Sequence, residues 1–280
     1  MSRSNPEHRL MAFITERHNV WRNKTAGKPW PWTSDPILQQ YRFCNVFRNL
    51  DKETIALHNG WLNKLKHKDD LWFACVVGRL VNWWPTLSML KLPLPWDPVD
   101  FVHKMDARKA AGKKVFTGAY MVRADAVIGG SKAQYLADYV LTPMWHDRDM
   151  IRPNRKDTLE SFHQRLMRYR DMGSFMAAQV VADAKYFDRH LLNAPDWFTW
   201  AASGPGSRRG LAIVLGLDVN YNWKEQEWRL AFTALHERLA AELEVLLGQP
   251  ITGQDLQNCL CEYFKYTRGS CRSKYAPPST

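Results

Sequence analysis

The sequence predicts a mostly α fold of two helical lobes. Three observations carry that expectation. Apolar residues recur at three- and four-residue spacing along most of the chain. Helix-start signals recur too, such as an Asp followed by Pro in "SDP" at 34–36. Of the 280 residues, 45% are hydrophobic and 13 are tryptophan, enough apolar surface for a large core and too much for a disordered chain.

Residues 6–23 read as a basic helix that stops before the Pro/Trp-rich "GKPWPWTSDP". Asp35 then caps a helix with Pro36 in its first turn, running through "ILQQYRFCNVFRNL". Further helices are expected at 52–67, 69–83, 98–111, 131–142, 157–171, 174–187, 194–202, 207–215, 224–247 and 252–268. Only "KVFTGAYMV", 114–122, alternates as a short strand would. In the long helix from 224, Trp228, Leu230, Phe232, Leu235, Leu239, Leu243 and Leu246 form a core-facing stripe, and Gly248 suits its C-cap. No Pro/Gly/Ser linker divides the chain. One domain over 1–280 is therefore expected, with lobes of roughly 1–150 and 151–270 and a loose tail over 271–280.

Charge narrows the partners. Lys and Arg number 39 against 28 Asp and Glu, a formal net charge of +11, which favours a polyanion such as nucleic acid. The five cysteines, Cys44, Cys75, Cys259, Cys261 and Cys271, lack the paired spacing of a zinc or iron–sulfur site and suit reduced thiols. "MSRSNPEHRLMAF" has no apolar core of a signal peptide, and no run approaches a membrane span. A soluble intracellular protein, monomeric and with no membrane contact, is the expectation.

Several constellations can carry chemistry. In "YRFCNVFRN", helical stepping places Arg42, Asn45 and Arg48 on one side and Phe43, Val46 and Phe47 on the other. That polar side is either a solvated face or a cleft wall offering donors to an anion. In "MGSFMAAQVVADAKYF", a turn at Gly173 leads to Ser174 as N-cap, and Gln179 and Asp183 share one face. A carboxylate among Ala, Val and Met needs a cation or donors, and it is a candidate general base. Asp196 follows Pro195 at the start of an expected short helix, where capping alone can explain it. "SGPGSRRG", 203–210, reads either as a basic turn or as a phosphate cradle. Gly204 and Gly206 permit close approach, Ser207 suits a helix cap, and Arg208 and Arg209 add charge at a helix start. The C-terminal "LCEYFKYTR" sets Glu262 and Lys265 three apart, an ion pair of little worth if exposed.

Two turn-to-helix units with a following Asp resemble helix-hairpin-helix DNA glycosylases; Gly173 to Asp196 is 196 − 173 = 23 positions. More of the chain, from about 10 to 270, resembles the bacteriophage family of alpha-glutamyl/putrescinyl thymine pyrophosphorylases, also described as amino acid:DNA transferases. "GKPWPWTSDPILQQYRFCNVFRNLDKET", "MAAQVVADAKY", "GPGSRRGL" and "LCEYFKYTR" carry the resemblance.

That resemblance implies a glycosylase-like fold and phage thymidine hypermodification in the cytoplasm of an infected bacterium. The implied substrates are double-stranded DNA bearing a phosphorylated 5-hydroxymethyluracil and an amino acid, such as glycine, or a polyamine. The amine displaces phosphate or pyrophosphate and forms a carbon–nitrogen bond. Asp183 or Asp196 then serves as base; Arg42, Asn45, Arg48 and Gln179 hold the substrate or leaving group; Gly173, Gly204, Gly206, Ser207, Arg208 and Arg209 hold DNA. Glu262 and Lys265 contact the amine or the base, and Cys44 is a candidate nucleophile at C6 or a packing residue. There is no Walker lysine loop and no dinucleotide fingerprint, so no cofactor is expected, though a divalent metal at the leaving phosphate is compatible. A base-excision glycosylase and an inert DNA-binding module are the alternatives.

Overall fold

The computed structural model describes residues 5–118, 130–271 and 273–275. In chain order its helices are α1 (Pro6–Thr25), α2 (Pro36–Gln40), α3 (Lys52–Gly60), α4 (Leu71–Val81), α5 (Trp84–Leu87), α6 (Pro98–Ala110) and α7 (Lys132–Leu136). They continue as α8 (Thr142–His146), α9 (Arg148–Ile151), α10 (Leu159–Leu166), α11 (Ser174–Ala184), α12 (Pro205–Val214), α13 (Glu225–Leu247) and α14 (Gly253–Thr267). A π turn over Ala137–Leu141 joins α7 to α8. Among the described residues there is no strand, only one antiparallel bridge between Tyr41 and Lys274. The class is mostly α, as expected. Residues 114–118 form no strand, and the rest of the expected 114–122 strand lies outside the described residues.

The chain divides into two compact units, Met1–Asp51 with Phe198–Thr280, and Lys52–Trp197. The boundaries thus fall at 51/52 and 197/198, not near 150. The first unit is assembled from both ends of the chain because α1 packs on α12, α13 and α14.

In the first unit, Leu10 and Ile14 of α1 meet Trp228, Leu235 and Leu243 of α13 and Leu256 and Leu260 of α14 in one core. Burying each large apolar side chain contributes roughly 1.5–3 kcal/mol. The stripe of α13 is narrower than expected: Leu230 and Leu246 face solvent while Leu247 is buried. Leu230 lies two residues from Trp228, on the far side of a 3.6-residue turn. Gly248 ends α13 in the left-handed region (φ 73°), its N–H reaching the Glu244 carbonyl at 2.8 Å.

In the second unit, α4 is buried along its whole length and packs on α11, which packs on α10. A helix apolar on every face belongs inside a core. Its charged member, Arg79, therefore demands a partner. The 167–173 connection folds α10 back onto α11 as a helical hairpin, but its left-handed residue is Asp171 (φ 59°), not Gly173. Gly173 precedes α11 in extended conformation, and a side chain there would meet nothing. The expected 194–202 helix is absent; 195–199 are turns.

Candidate functional site

The first unit gathers eleven of the candidate site residues singled out from sequence. Asp35 caps α2 as expected, its Oδ1 accepting from Ile37 N (2.8 Å) and Leu38 N (3.0 Å). The helix nevertheless stops at Gln40. Arg42 N donates to Ser273 O (2.9 Å) and Tyr275 N to Gln40 O (3.1 Å), so the C-terminal segment pairs with the chain just where α2 ends and Tyr41 turns extended. Residues 273–275 are thus docked, not a loose tail. Arg42, Asn45 and Arg48 accordingly share no helical face. Arg42 is exposed. Asn45 holds its own turn, with Nδ2 donating to Leu50 O (2.9 Å) and Asp51 Oδ1 (3.0 Å). Arg48 opens a short 3₁₀ turn, with its N–H near Asp255 Oδ1 (3.4 Å).

The glycine-rich stretch resolves differently from a cradle. Gly204, not Ser207, is the N-cap of α12, and neither Gly204 nor Gly206 has positive φ. Ser207 is buried; its hydroxyl accepts from Gly204 N (3.0 Å) and Gln257 Nε2 (3.1 Å). A Cβ on Gly206 would collide with Cys261 Sγ, and one on Gly210 with the Leu260 carbonyl. These glycines exist so that α12 can lie against α14. Arg208 is likewise engaged, donating to Glu225 Oε2 (2.6 Å), Ser203 Oγ (3.0 Å) and Trp223 O (2.8 Å). Burial raises the Glu225 carboxyl, but the Ser203 and Arg208 bonds outweigh it and hold it below the usual range. Arg209 instead lies over the Phe264 ring at 5.3 Å, as Arg268 does at 5.6 Å.

Beside that ring opens a cavity of about 580 Å³ lined by Gly206, Cys261, Phe264, Lys265, Arg268, Ser270 and Cys271. Lys265 Nζ donates to Glu262 Oε1 at 2.6 Å. Burial lowers the lysine's affinity for its proton, but the Glu262 carboxylate outweighs that and holds Lys265 above its ordinary value. Glu262 is buried, so this pair is not the exposed i,i+3 contact that spacing alone suggests. Cys44 shows surface to solvent yet sits in a crowded recess; desolvation, then Glu262 and Asp51, push its thiol up to about 12 against the pull of Lys265 and Arg17. Such a thiol holds almost no thiolate near neutrality, which removes the basis for Cys44 as a nucleophile. Sequence reasoning missed Arg17, buried on α1, whose Nη2 donates to Cys259 Sγ at 2.9 Å.

The second unit holds the other four. Asp183 is fully buried, with Oδ2 accepting from Arg79 Nε (2.5 Å) and Oδ1 from Arg79 Nη2 (2.6 Å). His58 Nε2 lies 3.0 Å from the same Oδ1. Arg79 also reaches Thr54 Oγ1 (3.0 Å) and Asn82 Oδ1 (3.1 Å). Gln179 is half-buried one turn before Asp183 on α11. Asp196 begins no helix; its Oδ1 and Oδ2 accept from Leu159 N (2.8 Å) and Glu160 N (3.1 Å), closing the start of α10. Arg79 was legible as the lone charge in "LWFACVVGRLV", the cation that Asp183 required. Among the described residues no cluster of His, Cys, Asp and Glu is arranged to hold a metal ion, and no helix is long and apolar enough to cross a membrane.

The model of the family described as "5-hmdU DNA kinase, helical domain" matches residues 6–275. The chain belongs to this family. A 5-hmdU DNA kinase of Bacillus phage SP10 is 26% identical over 281 residues, covering 90% of this chain and 43% of the relative. The helical-domain chain thus spans less than half the length of that relative. No solved structure matches it.

Proposed function

We propose that this helical-domain protein is a phage DNA-hypermodification transferase acting on phosphorylated 5-hydroxymethyldeoxyuridine in DNA. An amine, from an amino acid such as glycine or from a polyamine, attacks the 5-methylene carbon. The carbon–nitrogen bond forms as the carbon–oxygen bond to phosphate or pyrophosphate breaks, and that electron pair leaves with the oxygen. The match over residues 6–275 to a helical domain named for 5-hmdU, in a sequence without a Walker lysine loop, carries this reading. Lys265, Arg268 and Arg209 around the α12–α14 cavity suit the departing anion, where fixed charge lowers the barrier. Asp183 and Asp196 each accept from protein donors through both oxygens. We therefore assign the amine's proton to Glu262, whose Oε2 has no protein donor.

Incubating the protein with DNA carrying the phosphorylated base and a panel of amines tests the reading. Nucleoside mass spectrometry should reveal an amino-substituted product, and its absence with every amine would overturn the proposal. The relative's name favours a second reading, phosphoryl transfer to 5-hmdU. Label passing from γ-labelled ATP to 5-hmdU DNA with this chain alone would support that reading.

A further inference from the structure

We infer that Arg17 and Glu262 form a subsite for a small zwitterion, a free α-amino acid, and that it discriminates against polyamines. The role in transfer rests on the function proposed above; the binding does not. Arg17 is 4% exposed and Glu262 2%. Arg17 places Nη2 on Cys259 Sγ and its guanidinium 5.1 Å from the Phe13 ring centre, while Nε and Nη1 have no acceptor. Glu262 gives Oε1 to Lys265, while Oε2 has no donor. Leaving a buried polar atom unpaired destabilises the fold, and more so for a charged group. Here idle donors and an idle acceptor belong to opposite charges that do not pair with each other.

Their positions converge on one stretch of α14. Cys259 and Glu262 are three residues apart, neighbours on one helix face within a turn of about 5.4 Å. Both Arg17 and Glu262 also act on the Cys44 thiol, in opposite directions. Cys44 itself shows surface to solvent.

Charge then selects the ligand. A carboxylate satisfies the Arg17 donors, and an ammonium satisfies Glu262 Oε2. Phosphate would meet Arg17 but oppose Glu262. A polyamine would meet Glu262 but bring a second cation towards Arg17 and Lys265. An α-amino acid supplies both groups on one carbon with no net charge. The burial of both side chains restricts the ligand to small members such as glycine.

Isothermal titration of the full chain with glycine, acetate, inorganic phosphate and putrescine tests this, with and without DNA carrying the phosphorylated base. Glycine should bind, and the other three should neither bind at this site nor compete. Glu262→Gln and Arg17→Lys should each weaken glycine binding tenfold or more, with folding checked by circular dichroism melts. Absence of glycine binding under both conditions overturns the inference, as does binding unchanged in both folded variants. Putrescine binding that Glu262→Gln abolishes and Arg17→Lys leaves intact overturns it as well, and would leave the transferase reading standing with a polyamine. Glycine binding without any transfer product supports the subsite and counts against the transferase.

Discussion

At the scale of single residues, the buried Asp183 and Arg79 hold each other inside the second unit. A lone carboxylate among Ala, Val and Met on α11 demands a cation, and a lone arginine in α4 demands an anion. The two meet in a bidentate pair, 2.5 and 2.6 Å, inside the second unit. Chemistry of residue type announced the need on each side; nothing local announced that each answers the other. The consequence is measurable. Asp183→Asn or Arg79→Met should each destabilise the protein by about 3–5 kcal/mol, because either leaves the partner uncompensated. The double variant Asp183→Asn/Arg79→Met should cost far less than the sum of the single changes. Urea melts of the four proteins form a cycle that checks this; additive costs would show that the pair is not a coupled unit.

At the scale of elements, most helices were legible and one assignment of purpose was not. The caps and periodicity located α1, α6, α13 and α14 within a few residues, since capping chemistry and an apolar stripe are local properties. The segment after α2 kept helical periodicity in "YRFCNVFRN", yet hydrogen bonds to 273–275 pulled its start into extended form. Propensity is a weak prior that such distant pairing overrides. The sequence reads Gly204 and Gly206 as room for a phosphate, whereas Gly206 and Gly210 make room for α14. Gly210→Ala should destabilise by about 2–3 kcal/mol, since the obstructing Leu260 carbonyl is backbone and cannot turn aside. Gly206→Ala meets a side-chain sulfur instead, so Cys261→Ala in the same protein should recover about 1 kcal/mol of the loss. Thermal melts of the single and double variants check both, and no recovery would place the strain elsewhere.

At the scale of the whole molecule, the net charge of +11 is the broadest functional signal, and the fold decides which cations remain available for it. Arg208 is tied to Glu225, while Arg209 lies over Phe264 near a basic cavity. Under the DNA-modifying reading, Arg209→Glu should weaken DNA binding across sequences and flatten its dependence on salt between about 50 and 200 mM. Arg208→Glu should chiefly lower the melting temperature, by setting two carboxylates against each other. Fluorescence anisotropy and melts separate the two outcomes; equal loss of affinity in both would return Arg208 to the DNA-facing set.

By itself the sequence determined the mostly α class, the positions of the main helices and the basic character. These follow from properties that neighbouring residues share: periodicity, capping and charge. Only the tertiary structure decided that the first unit joins both chain ends, that Asp196 closes the start of α10, and that Arg17 of α1 reaches Cys259 of α14, one turn from the buried Glu262. Each of those depends on residues dozens to hundreds of positions apart. Such pairings are set by how buried surfaces and charges find one another in space, and no local pattern encodes them.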